Sequence, residues 1–187
     1  MNKIKSTRLK IVLGLFCALL VIFILFIFLV LGSFIYDEYE DSKFYNISIP
    51  LEKNHLKKPA IQFSKKQFDS LNSVENETEK VVLVGNGYSG YDFFYWHKSD
   101  QKGIIFLRAY EITQEIELMK ELLSERTKKK INNIDNKFQR YTAHSVIYEG
   151  TFEKYYPVRF ELWFQSDDGK VMKKLSEVEY IIDGWDR

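Results

Sequence analysis

The sequence predicts a mainly β protein, in which an N-terminal transmembrane helix is followed by an antiparallel β-sandwich-like domain carrying one amphipathic helix. Three observations predict it. A long uncharged run opens the chain; short strand-like segments then recur between turn signals about 8–12 residues apart; and helical periodicity appears once among them. At 187 residues the chain suffices for one ordinary domain and a short appendage.

Residues 1–10 form a basic tail with Lys3, Lys5, Arg8 and Lys10. Residues 11–36 carry no charge and are dominated by Leu, Ile, Phe and Val, a length that exceeds the roughly 30 Å hydrocarbon core of a bilayer when helical. A continuous helix satisfies its own backbone there. Phe34, Tyr36 and Tyr39 suit an interfacial aromatic belt, and Asp37, Glu38, Glu40 and Asp41 follow. Basic residues ahead and acidic ones behind orient the helix with its N-terminus in the cytoplasm and the rest of the chain outside. A cleaved signal is the competing reading, but its apolar region is usually only about 7–15 residues long. Val30-Leu31-Gly32 is also a poor small-x-small site. Cys17, the only cysteine, follows Gly14-Leu15-Phe16, too bulky for a lipoprotein signal.

Residues 37–59 read as a stalk punctuated by Pro50 and Pro59, with a first strand expected over 44–49. The folded domain is expected over 60–187. Its clearest strand covers 158–164, where Val158, Phe160, Leu162 and Phe164 alternate with Arg159, Glu161, Trp163 and Gln165. Ser166-Asp167-Asp168-Gly169 supplies a tight turn, and 171–182 returns as its hairpin partner. Further strands are expected over 80–84, 91–97, 103–110 and 141–148, each rich in β-branched or aromatic residues. Ile112, Ile116, Met119 and Leu123 recur at helical spacing, with Thr113 as N-cap and the basic run 126–130 at the C-terminus of that helix.

Composition excludes some roles. Four of the 27 basic residues precede the apolar run and all 26 acidic residues follow it, so the outer part is acidic by three. That balance gives no footprint for nucleic acid. No disulfide can form in the outer part, which together with abundant Lys, Ile and Asn favours a bacterial envelope. Gly85-Asn86-Gly87-Tyr88-Ser89-Gly90 fits the dinucleotide pattern but leads into an aromatic strand instead of a helix, so it reads as a hairpin loop. His55, His97 and His144 lack zinc spacing, and Asp167-Asp168-Gly169 lacks the carboxylates of a calcium loop. No metal or cofactor is expected. The acceptor patterns at Asn46 and Asn76 matter only in a eukaryotic lumen.

Tyr91, Phe94, Trp96, Tyr155, Trp163 and Trp185 are the candidate partner-binding aromatics, against the alternative that aromatic strands pack on both faces. No catalytic constellation emerges, and no nucleophile elbow is present. The expected function is a single-pass, membrane-anchored binding module outside the cytoplasm, meeting an envelope protein or glycan, and not an enzyme. Two alternatives stand beside it. One is a surface-glycan hydrolase using two of Glu111, Glu149 and Glu161. The other is an immunity-type protein that neutralises an envelope-acting toxin.

Overall fold

The computed structural model describes residues 2–45, 47–61, 78–85, 90–134, 136–149 and 155–184. The chain divides into two compact units, Met1–Ser42 and Lys43–Arg187.

The described residues of the first unit lie within helix α1 (Asn2–Tyr45). Its 44 residues rise about 66 Å, so the helix starts before and ends after the apolar run 11–36. Its most apolar stretch has a mean hydropathy of 3.3, and none of that stretch is buried. Leucine, isoleucine and phenylalanine side chains therefore project outward on every side, as at Phe16, Phe23 and Leu29. Among the described helices it is the one long and apolar enough to cross a membrane.

The second unit is mostly strand, in two sheets whose pairings are antiparallel but for one short parallel pair. The smaller sheet runs β1 (Ala60–Ile61), β2 (Lys80–Gly85), β3 (Tyr91–His97) and, after a gap in sequence, β7 (Gln139–Ser145). The larger runs β5 (Ile116–Leu118), β4 (Gly103–Glu111), β8 (Tyr155–Ser166) and β9 (Met172–Asp183), with β6 (Lys129–Ile131) also on β4. One apolar cluster draws on both sheets: Val81, Leu83, Phe93 and Tyr95 from the first, Ile105, Leu107, Phe160 and Phe164 from the second. The Phe93 and Phe160 rings meet at 5.7 Å. A separate cluster of Val84, Phe94 and Trp96, with Val82 and Phe138 against it, buries the other side of β3. That strand is central and apolar on both faces, which is why its sequence does not alternate.

The β8–β9 hairpin turns where expected. Gly169 takes φ +70, its N–H donates to Ser166 O at 2.9 Å, and the Ser166 hydroxyl donates to Asp168 Oδ1 at 2.6 Å. That bond comes first in holding the Asp168 carboxyl below its ordinary pKa.

The expected helix from Ile112 is displaced, and the reason lies in Glu111. Its buried carboxylate accepts from Thr113 N–H (2.8 Å), Thr113 Oγ1 (2.7 Å) and Gln114 N–H (2.8 Å), closing a turn where a helix would begin. Glu115 then takes φ +55, and Ile116 and Leu118 lie on β5 at strand spacing. Helix α2 (Lys120–Thr127) starts only after Met119 (φ +53), whose N–H donates to Glu149 Oε1 at 2.5 Å. The basic run 126–130 is shared between the end of α2 and β6.

This insertion closes the edge of β4. β6 pairs with residues 103–105 and β5 with 109–111, and in the gap Leu107 N–H donates to Thr127 Oγ1 at 2.9 Å. Thr127 Oγ1 in turn donates to Leu123 O at 2.8 Å, and Tyr95 OH donates to Thr127 O at 2.5 Å, so α2 is tied to both sheets.

Over the residues expected as a stalk, helix α1 runs through Tyr45, none of the described residues of 44–49 is in a strand, and Phe44 and Ile47 pack on the core of the second unit. Phe44 is buried with its ring 5.1 Å from that of Tyr156. Ile181 N–H donates to Lys57 O at 3.1 Å, and Lys53 pairs with Glu179 at 2.6 Å, so the edge of β9 is covered along its later half.

Candidate functional site

Charge and aromatic side chains concentrate on the side of the larger sheet that faces away from the shared core. Alternation sends Leu107, Ala109, Phe160 and Leu162 inward and leaves Arg108, Tyr110, Arg159, Glu161 and Trp163 on the opposite face. Register then sets Tyr110 opposite Arg159, Arg108 opposite Glu161 and Phe106 opposite Trp163.

Glu161 is the hub of this surface. It is 4% exposed and accepts from Arg159 Nε (3.0 Å), Trp163 Nε1 (2.9 Å) and Lys174 Nζ (3.2 Å). A buried carboxylate is tolerated when donors surround it in this way. The register of β9 slips between Leu162 and Trp163, which sets Lys174 opposite Trp163 and within reach of Glu161. Arg159 also forks onto Glu115, with contacts of 3.1 and 2.8 Å. These bonds hold the Glu115 carboxyl below its ordinary pKa and the Arg159 guanidinium above its own. Lys174 reaches Glu177 at 2.8 Å, and the pair is shifted in the matching directions by that bond.

Arg108 is held differently. Its guanidinium carbon lies 5.4 Å from the Trp163 ring and 5.8 Å from the Phe106 ring, and the neighbouring Tyr110 hydroxyl donates to Glu117 Oε1 at 3.5 Å. The Arg108 ion pair is a long one, Nε to Glu117 Oε1 at 3.8 Å. Burial dominates the upward shift of the Tyr110 pKa. Beside Arg108 opens a groove of about 420 Å³ lined by Arg108, Glu117, Lys120, Glu121 and Ser124. The positive φ at Met119 and Lys120 brings α2 up as its far wall.

The aromatic residues singled out by sequence fall into three groups. Tyr91, Phe94 and Trp96 are buried in the two clusters of β3. Tyr155 is 38% exposed and lies under Lys58 Nζ at 3.3 Å, and Trp163 is half-buried in the Glu161 network. Trp185 lies outside the described residues, as do residues 86–89 of the glycine-rich stretch and the acceptor Asn46 and Asn76. Gly85 pairs with Tyr91 across antiparallel strands, so that stretch leads into a strand.

The three glutamates nominated for glycoside hydrolysis do not form one cluster. Glu111 points to the inner side of the larger sheet, Glu161 to its outer side, and Glu149 holds the start of α2. Among the histidines, His55 is exposed, His144 Nδ1 lies 2.8 Å from Asp92 Oδ1, and His97 is buried against the Phe164 ring at 5.7 Å. Among the described residues no group of three His, Cys, Asp or Glu side chains is placed to hold a metal.

Sequence alternation had already put Arg159, Glu161 and Trp163 on one face. It missed Arg108, Lys174 and Glu115, because their places depend on the β4–β8 register and the β9 bulge, which no local pattern encodes. Comparison with family models, with curated proteins and with solved structures returned no match.

Proposed function

We propose that this chain is a single-pass membrane protein of a bacterial envelope, with its N-terminus in the cytoplasm and its β unit outside. In this reading the two sheets form a sandwich, and the unit is a non-catalytic binding module for an envelope partner. The observation that carries the reading is the pairing of a long helix, whose apolar side chains are exposed on every side, with a β unit that is separately folded. Side chains of that kind need hydrocarbon around them. The basic residues before the helix and the acidic ones after it support the orientation. The outward surface of β4 and β8 supports the binding role, because its charges are fixed in place before any partner arrives.

The test has two parts. Membranes containing the full chain, washed with alkaline carbonate, should retain it; release into the wash overturns the anchor. A photo-crosslinking amino acid replacing Trp163 should give a discrete adduct in intact cells, while the same group replacing the exposed Val171 gives none. Failure at Trp163 across growth conditions overturns the binding role.

A further inference from the structure

Two arginines stand on neighbouring strands with opposite fates. Arg159 gives three hydrogen bonds: its fork donates to Glu115 at 3.1 and 2.8 Å and its Nε to Glu161 at 3.0 Å. Arg108, one register step away, has its ion-pair contact with Glu117 at 3.8 Å, beyond hydrogen-bond length. Its side chain is 34% exposed and its guanidinium lies over the Phe106 and Trp163 rings, while donors of its planar fork remain for an incoming acceptor.

From this contrast we infer that the groove between β4, β5 and α2 takes an extended peptide segment carrying an acidic side chain close to a basic one. Arg108 receives the carboxylate. The inference rests on the binding role proposed above and adds the place and the chemistry of the partner.

The groove argues for that ligand on three counts. Its walls are Arg108 and Lys120 against Glu117 and Glu121, where small-molecule clefts are mainly apolar. A mixed wall of this kind matches a mixed-charge chain, since Glu117 and Glu121 attract a basic side chain beside the one that Arg108 holds. The same carboxylates repel a polyanion such as a polyphosphate polymer. A sugar is disfavoured for a separate reason: the Arg108 guanidinium lies against the Trp163 ring at 5.4 Å, where a pyranose would stack, and Trp163 Nε1 is already spent on Glu161.

The experiment uses the full chain in detergent micelles and three fluorescein-labelled Gly/Ser peptides. One carries a glutamate and, two positions on, a lysine; one carries glutamate at both positions; one carries lysine at both. Fluorescence anisotropy should show the mixed peptide binding more tightly than either single-sign peptide, and more weakly as salt rises. Arg108→Gln should weaken the mixed peptide about tenfold, the scale of one hydrogen bond between charged groups. Lys170→Gln, at the far hairpin, should leave binding unchanged.

Glu121→Lys should move the preference toward the peptide with two glutamates, a switch that a merely structural role for this wall would not produce. The inference is overturned if the two-glutamate peptide binds wild type at least as well as the mixed one. It is overturned equally if no peptide binds, if Arg108→Gln changes nothing, or if a chitin tetrasaccharide displaces the mixed peptide. Should the crosslink at Trp163 persist while these peptides fail, the binding module stands and only its ligand chemistry falls.

Discussion

Individual residues in the β unit show how buried polar groups are kept or tolerated. Glu111 and Glu161 are both nearly inaccessible and both are surrounded by donors, those of Glu111 from the next few residues and those of Glu161 from its own strand and from Lys174 on β9. His97 has a different environment. It is 3% exposed, and among the described residues neither ring nitrogen has a hydrogen-bond partner. Glu79 Oε1 is 3.6 Å from Nδ1, with Asp100 and Lys173 further off. Burial pushes its pKa below the ordinary 6.5; Glu79 and Asp100 oppose that shift and Lys173 adds to it. The unfolded chain therefore takes up a proton that the folded chain resists, so stability present above about pH 6.5 is lost as pH falls below that value. Glu115 and Glu177, whose pKa values are lowered from 4.5, lose their contribution only in a lower window. The urea midpoint should thus fall between pH 7 and pH 5, and His97→Phe should flatten that fall. An unchanged slope in the variant would remove His97 as its cause.

Elements were legible in proportion to how local their causes are. Strands β2, β3, β4, β8 and β9 follow from runs of β-branched and aromatic residues, and the β8–β9 turn follows from Asp and Gly chemistry. The helix after β4 was misplaced because Ile116 and Leu118 suit a strand and Leu123 a helix, so one spacing served two elements; the Glu111 turn between them is a side-chain effect. The contacts of Phe44 with Tyr156 and of Lys57 with Ile181 join residues distant in sequence, which local patterns do not encode. The candidate surface was half visible, since one strand's alternation is local and its neighbour's register is not. Two glycines separate local from non-local constraint in a measurable way. Gly169 needs only its positive φ, and its built Cβ would meet nothing closer than 3.9 Å, so Gly169→Ala should cost about 1 kcal/mol. A Cβ on Gly103 would fall 2.3 Å from Gln165 O and 2.8 Å from the Phe164 ring. Gly103→Ala must therefore push β4 from β8 and should cost more than twice as much. Equal urea midpoints for the two variants would contradict this ranking.

At the level of the whole molecule, the single cysteine is a ready reporter of the proposed topology. Cys17 lies within α1 and is the only thiol in the chain. In intact cells a membrane-impermeant maleimide should leave it unlabelled, and detergent should expose it. Lys170→Cys, on the exposed turn of the β8–β9 hairpin, should label from outside without detergent. Labelling of that site only after lysis would reverse the orientation.

The hydroxyl of Thr127, set into the break between β5 and β6, has a consequence for behaviour in a crowd. A strand with a bare row of amides is a template on which another copy can stack, and fibrils begin at such rows. In the membrane-anchored reading proposed above, chains confined to a bilayer plane would meet one another often, and the hazard would grow with their surface density. By occupying the Leu107 amide, one oxygen atom denies that stretch of β4 to a neighbour, and helps keep copies apart as well as keeping each one folded.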